Sequence, residues 1–245
     1  MSILNIHQLS FRYGSKIVLD GVTFSVDSGE FIGIAGLNGS GKTTLLKLLQ
    51  RIYSPASGGV EFHGTNLQSY SHREFAKKVA SVAQRPLFDF PFLVEEFVLL
   101  GRTPYLNFLK RETSADKEAV EEALRQSDSL QFAGRSISQL SAGELQRVCI
   151  AAALAQQPEV LLLDEPTSAL DLKQVGRLSR LLSNLQNDGL TILCASHDLN
   201  FLKKHCTKIL LLHEGKQAGF GKYEEVLSDE VLFRLFEVEE VIHAR

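Results

Sequence analysis

The chain has 245 residues, enough to bury about 70 to 75% of its unfolded surface, and 26 basic against 29 acidic residues leave a net charge of −3, which gives no support to a generally basic nucleic-acid binder. Its three cysteines, Cys149, Cys194 and Cys206, lie far apart without C-x-x-C spacing, which argues against a zinc site or a disulfide framework and fits a reducing compartment. The longest apolar run, Val148 to Ala155, is far short of the roughly 18 to 20 residues that cross a bilayer, and no charged-then-apolar leader opens the chain, so it reads as soluble and cytoplasmic.

Apolar and polar residues alternate from Ile3 to Tyr13. A second such run, Ile17 to Val26, follows a Gly14-Ser15 break, which predicts an antiparallel pair of strands. Tyr13 at the end of the first strand is either a plain sheet aromatic or a platform for a purine, where stacking is worth about 1 to 3 kcal/mol. Phe31 to Ala35 predicts a buried strand and Thr44 to Leu49 a helix with a broad apolar face. Between them, Gly36-Leu37-Asn38-Gly39-Ser40-Gly41-Lys42-Thr43 fits the phosphate-loop pattern G-x-x-x-x-G-K-[ST]. Gly36, Gly39 and Gly41 allow backbone angles at which successive N–H groups turn inward on an anion. Lys42 adds a point charge for the β- and γ-phosphates, and the Thr43 hydroxyl is placed to ligate Mg²⁺. The helix that follows directs its positive end at the same phosphates.

Ser54 to Gly59 is a loop by composition, followed by a short strand and turn near Val60 to Gly64. A helix around Arg73 to Lys78 and a strand from Val79 to Ala83 lead to Gln84, a side chain that can reach Mg²⁺ or an attacking water. From Arg85 to Gln157 helical periodicity takes over, with helices expected at Val94 to Arg102, Ala115 to Ser129 and Ala142 to Gln156; this reads as a helical insertion in an α/β core. The apolar loop Thr103 to Leu109 is either a docking surface or simple packing. Ser141 is a natural N-cap, and a Ser-x-Gly helix start is equally a second anion site.

Val160 to Leu163 predicts a buried strand that ends in Asp164 and Glu165. Beside a phosphate loop, Asp164 can hold Mg²⁺ through water and Glu165 can polarise the attacking water. After the polar turn Ser168 to Asp171, a helix repeats apolar residues at Leu172, Val175, Leu178, Leu181, Leu182 and Leu185, all expected to be core. Leu190 to Ala195 is another buried strand, and His197 follows it at the sheet edge where ligands bind in open α/β folds. The other six histidines read as surface or packing residues. Lys208 to His213 and Lys216 to Phe220 are expected strands, and Glu224 to Phe236 carries one or two helices.

The order of these motifs, over nearly the whole chain, resembles the ATP-binding cassette ATPases. Tyr13 matches the A-loop aromatic, Gly36 to Thr43 the Walker A loop, Gln84 the Q-loop and Ser141 to Glu144 the signature. Val160 to Asp164 matches Walker B, Glu165 the catalytic glutamate, Ser168 to Asp171 the D-loop and His197 the switch histidine. The signature reads Leu-Ser-Ala-Gly-Glu where the commonest form is Leu-Ser-Gly-Gly-Gln.

The resemblance implies an α/β fold: a P-loop NTPase core with an N-terminal antiparallel β subdomain and an inserted helical subdomain. Residues 1–84 and 157–245 would form the core and 85–156 the helical part of one nucleotide-binding domain. It implies ATP and Mg²⁺ as cofactors and a head-to-tail homodimer closing on two ATP molecules. Tyr13, Gly36, Asn38, Gly39, Ser40, Gly41, Lys42, Thr43 and Thr44 would hold ATP in one copy, with Ser141, Gly143, Glu144 and Asp171 contributed by the other. Thr43, Gln84 and Asp164 would hold the metal, and Glu165, His197, Lys42 and Gln84 would carry the chemistry.

Gly101-Arg102-Thr103-Pro104-Tyr105, the signature form and the tail from Val226 to Phe236 are similar to the ATPases of importers for iron–siderophore, haem and cobalamin, with Tyr105 where that group more often has His. The implied partners are membrane-spanning permease subunits and, indirectly, an extracytoplasmic substrate-binding protein, with no nucleic acid, and the implied place is the cytoplasmic face of the membrane. Two other readings stand beside this one: a transporter ATPase for another substrate, and a soluble cassette ATPase of iron–sulfur assembly or DNA repair.

Overall fold

The computed structural model describes residues 2–83, 92–106, 112–228 and 230–232. In chain order its elements are β1 (Ser2–Tyr13), β2 (Lys16–Asp27), β3 (Phe31–Ala35), α1 (Lys42–Leu49), β4 (Ser57–Phe62), β5 (Thr65–Asn66), α2 (His72–Ala76), β6 (Val79–Val82), α3 (Val94–Leu99), α4 (Ser114–Gln126) and α5 (Ala142–Leu154). After them come β7 (Val160–Asp164), α6 (Leu172–Asn187), β8 (Thr191–Ala195), α7 (Leu199–His205), β9 (Lys208–His213), β10 (Lys216–Gly221) and α8 (Tyr223–Val226). They fall into two compact units, Met1–Ser69 with Leu193–Arg245, and Tyr70–Ile192. Among the described residues no helix is long and apolar enough to cross a membrane.

In the first unit β1 and β2 form the expected antiparallel pair, from Ser2↔Asp27 to Tyr13↔Lys16, and β4 pairs with the other edge of β1. The strand β4 begins at Ser57, inside the stretch read from composition as loop, because the Gly58-Gly59 backbone pairs alongside His7. A second set of strands runs β10-β9-β3, with the end of β8 on the far side of β3. All five residues of β3 are buried, as a strand covered on both faces requires. The parallel partner β9 is buried from Ile209 to Leu212. The short helix α7 has no forecast in the sequence: only seven residues long, it ends in Lys203-Lys204-His205, which blurs its apolar face. Asp198 starts it, accepting the Phe201 N–H at 3.0 Å.

In the second unit β6 and β7 are parallel, from Val79↔Val160 to Val82↔Leu163. The helices α3, α4 and α5 pack on one another, the helical segment that periodicity forecast. The first stops earlier than expected, its last turn tightening into a 3₁₀ turn at Leu100–Arg102. Arg102 is 5% exposed and joins three elements. Its Nε donates to Asp116 Oδ1 at 3.0 Å, and its Nη1 donates to the Ala155 carbonyl at 2.8 Å and to Gln157 Oε1 at 3.0 Å. The Tyr105 ring lies against the guanidinium, 3.7 Å from its centre, and the Tyr105 hydroxyl donates to the Gln156 carbonyl at 2.8 Å. Asp116 also closes a capping box with Thr113 at the start of α4. The Thr113 hydroxyl and N–H, then Arg102, hold the Asp116 carboxyl below the usual carboxylate range.

Two core expectations fail, for Val175 is only partly buried and Leu172 is not buried at all. On α6, Leu178, Leu181, Leu182 and Leu185 are buried, but Leu172 is 92% exposed. It stands in the first turn, directly after Asp171, where the apolar face of the helix has not yet met the core.

The depressed pKa of Asp116 has a definite sign. Its stabilising contribution is complete above the unfolded carboxylate pKa and is lost as pH falls through the lower folded value. Asp116→Asn should therefore lower stability by about 2 kcal/mol at pH 7, the scale of a hydrogen bond to a charged group. In urea titrations the gap to the parent should narrow as pH falls below about 4; a gap that stays constant to pH 3 would assign it to packing alone.

Candidate active site

The first unit places the phosphate loop between β3 and α1. Gly36, Gly39 and Gly41 have φ of +150°, +82° and +106°. At Gly36 an added Cβ would sit 2.3 Å from the Leu212 carbonyl and 2.5 Å from Ser40 Oγ, so angle and space both demand glycine there. The helix α1 has no side-chain cap and no acid in its first turn. Its backbone ladder begins with the Leu45 N–H donating to the Gly41 carbonyl at 2.8 Å, so the N–H groups of the first turn lie ahead of that ladder.

The Lys42 ammonium, 7% exposed, donates to the Gly36 carbonyl at 2.8 Å and the Leu37 carbonyl at 3.3 Å. Ser40 Oγ is buried without a hydrogen-bond partner. An uncapped helix start, a buried ammonium and an orphaned hydroxyl suit the oxygens of a bound anion, which would meet the needs of all three.

Tyr13 stands near the start of α1 with 46% of its surface exposed. Its ring is edge-on to Phe11, at 4.9 Å and 89°, and to Tyr53, at 5.6 Å and 89°; those two rings stack on each other at 5.1 Å. The Tyr13 hydroxyl shares hydrogen bonds with Tyr53 and with Thr44. The bond to Tyr53 pushes the Tyr13 phenol above its usual range, and the same bond, aided by Lys47, lowers that of Tyr53. Tyr53 carries no sequence signal for this role, because no motif contains it and only folding brings it to β1.

His197 is exposed just beyond β8. The neighbouring Ser196 N–H donates to the Ile34 carbonyl at 3.1 Å, so in this unit β8 and β3 end at the same edge, where the phosphate loop begins.

In the second unit Asp164 closes β7, and Glu165 follows, 7% exposed, with φ of +49°. A glutamate in the left-handed region is uncommon and marks a backbone held by its surroundings. The chain turns through Ser168, whose N–H donates to the Glu165 carbonyl at 3.2 Å, and reaches Asp171, which caps α6 by accepting the Gln174 N–H at 2.8 Å.

Ser141 caps α5. Its hydroxyl accepts the Glu144 N–H at 3.4 Å and donates to Glu144 Oε2 at 2.8 Å, while its own N–H donates to the same carboxylate at 2.8 Å. These Ser141 donors hold the Glu144 carboxyl below the usual range. The helix start expected to receive an anion thus already holds one of its own, with Arg135 at 3.9 Å from it.

Gln84 lies outside the described residues. Among those described, no group of three or more His, Cys, Asp or Glu is placed to hold a metal ion.

Residues 19–168, from β2 through the phosphate loop to the turn after Glu165, match the ABC transporter family. The chain belongs to that family. This ABC ATPase is 35% identical over 230 residues to the ferric enterobactin transport ATP-binding protein FepC of Escherichia coli (strain K12), covering 94% of this chain and 85% of that protein. It superposes on a solved metal-chelate type ABC transporter in an inward-facing conformation with a TM-score of 0.86 and 30% identity, over 97% of this chain and 89% of that one. A solved ATP-binding cassette, dimeric and bound to ADP and Pi after hydrolysis, matches with a TM-score of 0.76 and 28% identity, over 90% and 98% of the two chains.

The Glu144 carboxylate would repel a phosphate brought to the start of α5 in this ABC ATPase. A like charge about 4 Å from an incoming phosphate costs about 1 kcal/mol in water, roughly fivefold in an equilibrium. Glu144→Gln retains an acceptor for both Ser141 donors and removes that charge, so half-maximal hydrolysis should come at about fivefold lower ATP. An unchanged ATP dependence would show that the charge is not felt.

Proposed function

We propose that this ABC ATPase powers an importer for iron–siderophore chelates, haem or cobalamin. The observation that carries this reading is the whole-chain similarity to the ferric enterobactin transport ATP-binding protein. The metal-chelate type transporter, matched over 97% of the chain, supports it. The Gly101 to Tyr105 segment, similar in sequence to that of such importers' ATPases, packs through Arg102 and Tyr105 against α4 and the residues after α5.

In this reading residues 1–84 and 157–245 act as the catalytic core and 85–156 as the helical part. Tyr13 stacks on the base and Thr44 steadies it. Gly36, Asn38, Gly39, Ser40 and Gly41 wrap the phosphates with backbone N–H groups and the Ser40 hydroxyl. Lys42 leaves the carbonyls of Gly36 and Leu37 for the β- and γ-phosphates. Thr43, Asp164 and Gln84 supply hard oxygen donors that suit Mg²⁺, and the ion when bound offsets phosphate charge. Glu165 orients the attacking water and accepts its proton, and His197 holds the γ-phosphate side.

Ser141, Gly143, Glu144 and Asp171 complete the site from a second copy. The dimeric ADP-bound and Pi-bound cassette supports that arrangement. Hydrolysis then reopens the pair, and permease subunits at the cytoplasmic face of the membrane take up the motion, with a substrate-binding protein outside delivering cargo. A groove of about 310 Å³, lined by Val82, Ala83, Leu100, Gly101, Ala152 and Gln156, supports a permease contact, with Leu100 half exposed at its rim.

Glu165→Gln should keep ATP binding, lower hydrolysis by about two to four orders of magnitude, the range for a lost general base, and accumulate as an ATP-dependent dimer in light scattering. Near-normal turnover would take Glu165 out of that role, and a monomer at saturating Mg-ATP would rule out the paired site. For the docking groove, Leu100→Cys should cross-link to a membrane-spanning subunit in native membranes; cross-links only to soluble proteins would favour the iron–sulfur or repair class.

A further inference from the structure

The first turns of α5 and α6 are tied together by one side chain. Gln174 lies in the first turn of α6, and its backbone N–H donates to Asp171 at 2.8 Å. Its side chain runs to α5 and meets two residues one helical turn apart. A Cβ built on Gly143 would lie 2.6 Å from both Cδ and Oε1 of Gln174 and 2.7 Å from its Cγ, so the glycine leaves the space this amide fills. On the next turn Arg147 Nη1 donates to Gln174 Oε1 at 3.1 Å.

Arg147 is 4% exposed, and its Nε is buried without a hydrogen-bond partner. A buried guanidinium already short of one acceptor depends strongly on those it has. Burial pushes its pKa down, in keeping with that setting.

We propose that Gln174 is a positioning residue that locks the Ser141 helix start to the Asp171 turn, so that the two segments offered to a second copy move as one piece. This rests on the paired-site reading above for its consequence, but the lock itself is a property of one chain. If Gln174 were shortened, Gly143 would face a gap, Arg147 would lose its acceptor, and α5 and α6 would drift independently. Ser141 and Asp171 would then seldom be correct at the same moment, which slows turnover without touching the chain's own phosphate loop. A merely structural role would instead lower stability and nucleotide affinity along with rate.

The test uses the full-length protein, measuring Mg-ATP turnover, binding of a fluorescent ATP analogue and thermal unfolding for the parent, Gln174→Ala, Arg147→Ala and the double variant. Gln174→Ala should lower kcat about tenfold while analogue affinity stays within about twofold and the unfolding midpoint within a few degrees. The double variant should be no slower than the slower single one, because both changes break the same contact. Parent-like kcat in Gln174→Ala, losses that multiply in the double variant, or a matching fall in analogue affinity would each overturn the proposal.

If Arg147→Ala does not fold, Gln174→Met decides, since it keeps volume beside Gly143 but offers no acceptor: slow turnover supports the lock, parent-like turnover removes it. The paired site is judged separately by the Glu165→Gln dimer. A monomeric Glu165→Gln protein together with a coupled Gln174–Arg147 pair would sink that reading and leave the lock standing.

Discussion

The burial of the Lys42 ammonium against the carbonyls of its own loop is the constraint around which the turn after β3 is built. A charge taken out of water needs oxygen around it, and here the oxygens come from Gly36 and Leu37, which the turn after β3 brings back over the start of α1. That turn is possible only with left-handed glycines and with no room for a side chain at Gly36. The two carbonyls lie beside an uncapped helix start and the orphaned Ser40 hydroxyl, and in the proposed reading phosphate oxygens would take their place and satisfy several groups together.

The two helix starts solve the same electrostatic problem in opposite ways. In α1 the first-turn N–H groups face a glycine that offers no side-chain acceptor. In α5 Ser141 and Glu144 close a capping box, and a carboxylate sits against the helix's positive end. The first is poised for an anion from outside the chain. The second already has one, so any phosphate arriving there must share Ser141 with Glu144 or displace it. The commoner glutamine at that position would cap the helix without the charge.

Contacts made by other elements set the geometry of several residues that the motifs contain. Tyr13 is held by Phe11, Tyr53 and Thr44; Asp171 and Gly143 are both in contact with Gln174; Arg102 gathers α4 and the end of α5 around a single guanidinium. In each case a polar or aromatic group is partly buried with its partners supplied by other elements. The alignment of a site residue is then set by packing rather than by its own loop.

Strand β3, the phosphate loop, the α1 helix, the antiparallel β1 and β2 pair and the acids closing β7 were legible because each rests on local patterning: alternation, an apolar run, or glycines at fixed spacing. Short-range chemistry also makes Ser141 readable as a cap. What the residues in order did not disclose were α7, the exposure of Leu172, the left-handed Glu165, and the partnerships of Tyr53, Arg102 and Gln174. The physical reason is the same throughout. Local sequence determines which backbone shapes are cheap and which chemistry is present, whereas burial, strain and the choice of hydrogen-bond partner depend on segments distant in the chain, which only the tertiary fold brings together.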